Sequence, residues 1–109
     1  MITTLNDQNF KKFIEESEKP VLVDFFATWC PPCSMLSPVL DKLSEDKDLA
    51  GEVIFAKMDI DKSPDITRQF KVEQVPTVIL FKNKEAVADF LGFMPQDAVK
   101  DWILGSLKN

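Results

Sequence analysis

The stretch Val21–Cys33, reading VLVDFFATWCPPC, limits what this chain can become more than any other part of it. Its first seven residues are apolar apart from Asp24, which is the pattern of a strand covered on both faces in the middle of a sheet. The strand runs into two cysteines separated by two prolines, and the residues after Cys33 follow a helical pattern. Both cysteines of the protein lie in this stretch. Two thiols at this spacing can close on each other as a small disulfide ring, whereas one CxxC supplies only half the ligands of a four-coordinate zinc site. Redox exchange is the chemistry that fits best. The competing readings are a pair of inert buried thiols, or half of a metal site shared across a dimer.

Charge and composition narrow the partners. The formal net charge is −5, and twelve Lys and one Arg are outnumbered by acidic residues without forming a basic run, which argues against nucleic acid or an anionic membrane surface. Proteins or small thiols are the expected substrates. With 45% hydrophobic residues, nine Phe and two Trp, the chain can build one core, so a single domain over residues 1–109 is expected. No apolar run is long enough to cross a bilayer, and residues 1–19 lack the charged-then-apolar layout of a signal peptide, so the cytoplasm is the expected compartment. The absence of histidine removes Cys-His catalysis and the usual histidine metal ligands. Asp59, Asp61, Ser63 and Asp65 fall at alternate positions of a calcium loop. Pro64 and Phe70 stand where that loop needs glycine and glutamate, so no metal is expected.

Taken in order, Ile2–Leu5 reads as a short edge strand, and Asn6 or Asp7 as the N-cap of a helix with Phe10, Phe13 and Ile14 on one face. Pro20 ends that helix near Glu18. After the strand at residues 21–27, Met35, Leu36, Val39, Leu40 and Leu43 recur at helical spacing around Pro38, which is expected to kink the helix rather than end it. Val53–Ile60 alternates, with Ile54, Ala56, Met58 and Ile60 opposite Phe55, Lys57 and Asp59. Ser63-Pro64 reads as an N-cap and first helical residue of a short helix reaching about Phe70. Thr77–Phe81 and Ala86–Phe90 form a hairpin about Asn83-Lys84, and Met94-Pro95 opens a last helix with Val99, Trp102, Ile103 and Leu107 inward. The order β-α-β-α-β-α-β-β-α predicts an α/β fold, a three-layer α/β/α sandwich with a central mixed sheet of about five strands and four helices.

These residues together resemble the thioredoxin family over essentially the full chain. The resemblance rests on Asp24, Trp29-Cys30-x-Pro32-Cys33, Pro38, Lys57, Val75-Pro76-Thr77 and Gly92 in that order. It implies the thioredoxin fold, dithiol–disulfide exchange on disulfide-containing proteins, no bound cofactor, a monomer, and electrons supplied by a thioredoxin reductase. It further implies a redox-active Cys30–Cys33 disulfide, a cis Val75-Pro76 bond, and a substrate surface made by Trp29, Pro31, Pro32, Val75, Pro76 and Gly92. The chain departs from the family pattern at Pro31, usually glycine, at Ser34, usually basic, and at Lys84, a hairpin position usually glycine. The alternatives kept open are a more oxidising thiol oxidase or isomerase, and a non-enzymatic binding module on the same scaffold.

The residues also carry readings of their own. Cys30 stands just ahead of a helix, where free N–H groups and the positive end of the dipole favour a thiolate, so it is the expected attacking sulfur. Cys33, one turn inward, is expected to be less exposed and to resolve the mixed disulfide. Asp24 lies in the most apolar run of the chain, where burial raises a carboxyl pKa and makes it a candidate proton acceptor for Cys33, with Lys57 as its neighbour. Trp29 reads equally as packing or as a substrate contact. Pro31, followed by Pro32, is pushed from the helical region, which places it at the N-cap edge with Pro32 first in the helix and the amides of Cys33 and Ser34 free.

Overall fold

A computed structural model describes residues 2–108, so the two end positions of the expected 1–109 domain lie outside the described residues. The elements are β1 (Thr3–Leu5), α1 (Phe10–Glu16), β2 (Val21–Phe26), α2 (Pro31–Ser44), β3 (Ile54–Asp59), α3 (Pro64–Gln69), β4 (Thr77–Lys82), β5 (Glu85–Leu91) and α4 (Gln96–Leu107). The strands form one mixed sheet in the order β1-β3-β2-β4-β5, parallel from β1 through β3 to β2 and antiparallel from β2 through β4 to β5. This is the expected order of elements, with β2 in the centre and the short β1 at an edge.

β2 occupies the centre because it is apolar on both sides of its pleat. Val21, Val23 and Phe25 point into the core beneath α1 and α3, where the rings of Phe10, Phe70 and Phe81 meet edge to face at 5.2–5.5 Å. Leu22 points the other way, into the core that α2 and α4 cover with Leu36, Leu40, Leu43, Val99 and Ile103. Asp24 falls on the same side as Leu22 by the strand's period of two, and so do Phe55 and Lys57 on β3. The pleat alone therefore aims a carboxyl and an ammonium at α2. Beyond the site, Lys100 on α4 ties down the segment after α2, its Nζ lying 2.9 Å from both Asp46 and Asp48.

The helix starts differ from expectation. Asn6 and Asp7 do not cap α1, which begins at Phe10 with Asn9 at its N-cap. Asn6 instead closes a turn, its Oδ1 accepting from the backbone N–H of Gln8 and Asn9. The Asp7 carboxylate reaches across to α3 and accepts from the backbone N–H of Asp65 at 3.1 Å and of Ile66 at 2.9 Å. Ser63, expected to cap α3, has the N-cap position but makes no side-chain cap bond, and its buried Oγ has no hydrogen-bond partner. An ionised acceptor satisfying two N–H groups with a charge at the positive helix end outcompetes one hydroxyl. Pro38 sits inside a helix that continues for six residues beyond it.

The hairpin explains one departure from the family pattern. Asn83 and Lys84 both have positive φ, 53° and 71°, as a two-residue turn matched to the strand twist requires. Asparagine tolerates that region; lysine bears the cost of its Cβ there. Lys84→Gly should therefore stabilise the protein by about 1 kcal/mol in urea denaturation. In the same assay Asp7→Ala should cost about 0.5–2 kcal/mol, whereas Ser63→Ala should be neutral within about 0.5 kcal/mol. A larger loss at Ser63 than at Asp7 would return the cap to the serine.

Candidate active site

The site forms where β2 ends and α2 begins. Cys30 takes the N-cap of α2 in an extended conformation (φ −108°, ψ 109°), Pro31 and Pro32 are the first two helical residues, and the first helical bond runs from the Ser34 N–H to the Cys30 carbonyl. The expectation for Pro31 is thereby corrected: it is inside the helix, and the amides of Cys33 and Ser34 are engaged rather than free. Neither proline has an N–H to lose in the first turn, and the fixed proline φ suits it, so the Pro-Pro pair fits where it would break a helix interior. The Cys33 N–H donates to Cys30 Sγ at 3.2 Å. That bond stabilises negative charge on this sulfur in the reduced state.

Cys30 and Cys33 are joined in a disulfide across a Cα–Cα distance of 5.3 Å. Both residues are 4% exposed, so exposure does not single out Cys33 as the more buried. Position does distinguish them. Cys30 Sγ lies 3.6 Å from the Val75 carbonyl, on the side of the loop that precedes β4. Cys33 faces inward and lines a cavity of about 260 Å³ with Asp24, Phe26, Ala27, Thr28, Ser34, Ser37 and Lys57.

Asp24 is 5% exposed, and its Oδ1 has no hydrogen-bond partner among the described residues. Burial pushes its carboxyl from 3.8 up to about 7, against the opposing pull of the Lys57 ammonium. Lys57 is its direct neighbour across the β2–β3 ladder, and the Lys57 Nζ also stands 5.7 Å over the Phe26 ring. A carboxyl poised near neutrality beside a thiol can take up and return a proton at ordinary pH.

The Val75-Pro76 bond is cis, and the Pro76 carbonyl accepts from the Gly92 N–H at 2.8 Å, which ties the loop before β4 to the end of β5. Gly92 has φ +80° with open space around its absent Cβ, so it is backbone conformation rather than crowding that calls for glycine. Trp29 is 66% exposed, which decides against the packing reading, and its Nε1 donates to Asp61 Oδ2 at 2.8 Å. Sequence reasoning did not find Asp61 as a partner of the site, because 32 residues separate it from Trp29. It also passed over Ser37, whose signal was available: it lies four residues after Cys33 on the same helix.

Comparisons with known proteins agree with this geometry. The model of the Thioredoxin family matches residues 1–105. The chain is 42% identical over 107 residues to a thioredoxin of Rickettsia felis, covering 98% of this chain and 100% of that protein. It is 42% identical over 97 residues to a thioredoxin of Alicyclobacillus acidocaldarius, covering 89% and 90%. It is 38% identical over 102 residues to the chloroplastic M-type thioredoxin of Spinacia oleracea, covering 94% of this chain and 55% of that one.

The buried carboxyl makes stability depend on pH in a definite direction. The unfolded chain loses the Asp24 proton near 3.8 and the folded chain holds it until about 7. Between these values the folded state binds more protons, so this group's contribution falls as pH rises from about 4 to about 7, and the full cost remains above that. Asp24→Asn should therefore exceed the parent in stability by about 2–4 kcal/mol at pH 8 and by less than about 1 kcal/mol at pH 4, measured by urea denaturation of the oxidised proteins. Equal differences at the two pH values would mean that the folded-state carboxyl ionises at its ordinary value, unshifted by burial.

Proposed function

The chain belongs to the thioredoxin family and is a dithiol–disulfide oxidoreductase, and from that premise we propose a working cycle for its residues. Cys30, at the helix start and against the substrate-facing loop, is the attacking thiolate; it forms a mixed disulfide with a protein substrate. Cys33 then attacks Cys30 Sγ, the Cys30–Cys33 disulfide forms, and the substrate leaves with both of its sulfurs reduced. Asp24 accepts the Cys33 proton, and Lys57 tunes that carboxyl through its charge. The observation that carries this reading is the placement of Cys33, Asp24 and Lys57 in one cavity while Cys30 contacts Val75 instead.

Substrate is received on the outer face of the same turn. An extended segment of the disulfide protein pairs with the Val75 backbone in the manner of an added strand, while Pro76, having no N–H, leaves that edge to the substrate. Trp29, Pro31, Pro32 and Gly92 flank the path. Exposed Trp29, Met35, Leu91 and Phe93 supply apolar contact area there. A thioredoxin reductase returns the two electrons, and the protein works in cytoplasmic electron transport and redox homeostasis as a monomer and a single domain. The net charge of −5 supports a protein rather than a nucleic acid or an anionic membrane as partner. No helix of the described residues is long and apolar enough to cross a membrane.

Reduction of insulin in a reductase-coupled assay tests the cycle. Cys30→Ser should abolish turnover, and Cys33→Ser should accumulate a substrate joined to Cys30 that mass spectrometry identifies. More rapid alkylation of Cys33 than of Cys30 in the reduced protein at neutral pH would reverse the assignment.

A further inference from the structure

The cavity behind the disulfide contains a group that the cycle above leaves unused. Asp24 closes it from β2, Lys57 from β3, and Cys33, Ser34 and Ser37 from α2. The β4 neighbour of Asp24 in the sheet is Val78, which is apolar and fully buried, so the charged or titratable groups facing the carboxyl are Lys57 and Cys33. Asp24 Oδ1 is buried here without a partner among the described residues, although a buried carboxyl oxygen ordinarily has one. A space of about 260 Å³ is ample for water beside these polar groups.

Ser37 is placed to connect the two ends. It follows Cys33 by four residues, so the two side chains lie one turn apart on the helix face that looks onto Asp24. Ser34 is turned elsewhere, its Oγ lying 3.5 Å from the Cys30 carbonyl. A hydroxyl donates and accepts at once, so it can take one proton while giving up another; the Lys57 ammonium can only donate and would lose its charge in doing so. We propose that Ser37 is the positioning residue that carries the Cys33 proton to Asp24, directly or through a water held between them.

In this step the Cys33 proton moves to Ser37 Oγ as the Ser37 proton moves to the Asp24 carboxylate. The Cys33 thiolate attacks Cys30 Sγ, the Cys30–Cys33 bond forms, the bond from Cys30 to the substrate sulfur breaks, and its electron pair leaves on the substrate thiolate. Two electrons pass from the cysteine pair to the substrate disulfide, and the substrate thiolate takes its proton from solvent. The inference rests on the reading of Asp24 as proton acceptor for Cys33.

Stopped-flow reduction of 5,5′-dithiobis(2-nitrobenzoate) by the reduced full chain separates the steps. The first thionitrobenzoate is released by Cys30 attack, and the second, in a concentration-independent phase, by Cys33. Ser37→Ala should slow the second phase on the order of tenfold at pH 7 and leave the first unchanged. The deficit should close as the pH is raised past about 8.5, where a thiol ionises unaided. Ser37→Thr, which restores a hydroxyl, should recover most of the rate, and Ser37→Ala should add no further slowing in an Asp24→Asn background. An unchanged second phase, a deficit that persists at high pH, or equal slowing with and without Asp24 would overturn the relay. If Asp24→Asn alone leaves the parent's second phase untouched, it is the proton-acceptor reading that fails, and the relay with it.

Discussion

Central placement of β2 is the constraint on which the rest of the molecule depends. Val21, Leu22, Val23 and Phe25 are all at most 1% exposed, and each contributes roughly 1.5–3 kcal/mol by leaving water. A strand with apolar side chains on both faces finds full burial only between two layers of helices, so the sandwich follows from it. The same strand then delivers the chain to Cys30 at the end of the sheet, where α2 begins. The site sits at a strand end because the core requires the strand to stop there.

Asp24 is the exception built into that strand. Holding its carboxylate in the core costs about 4 kcal/mol above neutrality, a burden that any two or three of its buried neighbours offset. Lys57 is near enough to oppose the desolvation but not to cancel it, as the direction of the Asp24 shift shows. A tight ion pair would have held the carboxyl ionised at all working pH values. The incomplete compensation is therefore what leaves the group titrating near neutrality. The opposite regime is seen at Lys100, whose contacts lower the Asp46 carboxyl and raise the ammonium, favouring the charged form of both.

The two thiols show how one helix start gives two different sulfurs. Cys30, at the N-cap, receives a backbone N–H from Cys33 and faces the loop before β4. Cys33 has turned with the helix toward the sheet and shares its cavity with the carboxyl. Nothing in their equal exposure separates them; they differ in the direction each faces. Val75 borders Cys30, while the carboxyl and Lys57 lie on the Cys33 side.

The amino-acid sequence by itself determined the element order, the central strand, the two-cysteine helix start and the burial of Asp24. Each of these follows from local periodicity or from a run of apolar residues, and periodicity survives without knowledge of what packs against it. Tertiary structure decided the pairings between distant segments. Asp7 and Asn6 both read as caps of the nearest helix, yet Asp7 serves α3, 58 residues away, while the Ser63 hydroxyl has no partner among the described residues. Asp61 holds the Trp29 indole across 32 residues. Pro31 enters the helix despite the proline after it, because the turn is closed by the Cys30 carbonyl and needs no N–H from either ring. A polar side chain has several acceptable partners close in sequence, and which one it takes depends on which groups the folded sheet brings within about 3 Å. Apolar side chains only have to leave water, so their pattern declares the fold; hydrogen bonds have to meet a specific atom, so only the fold declares them.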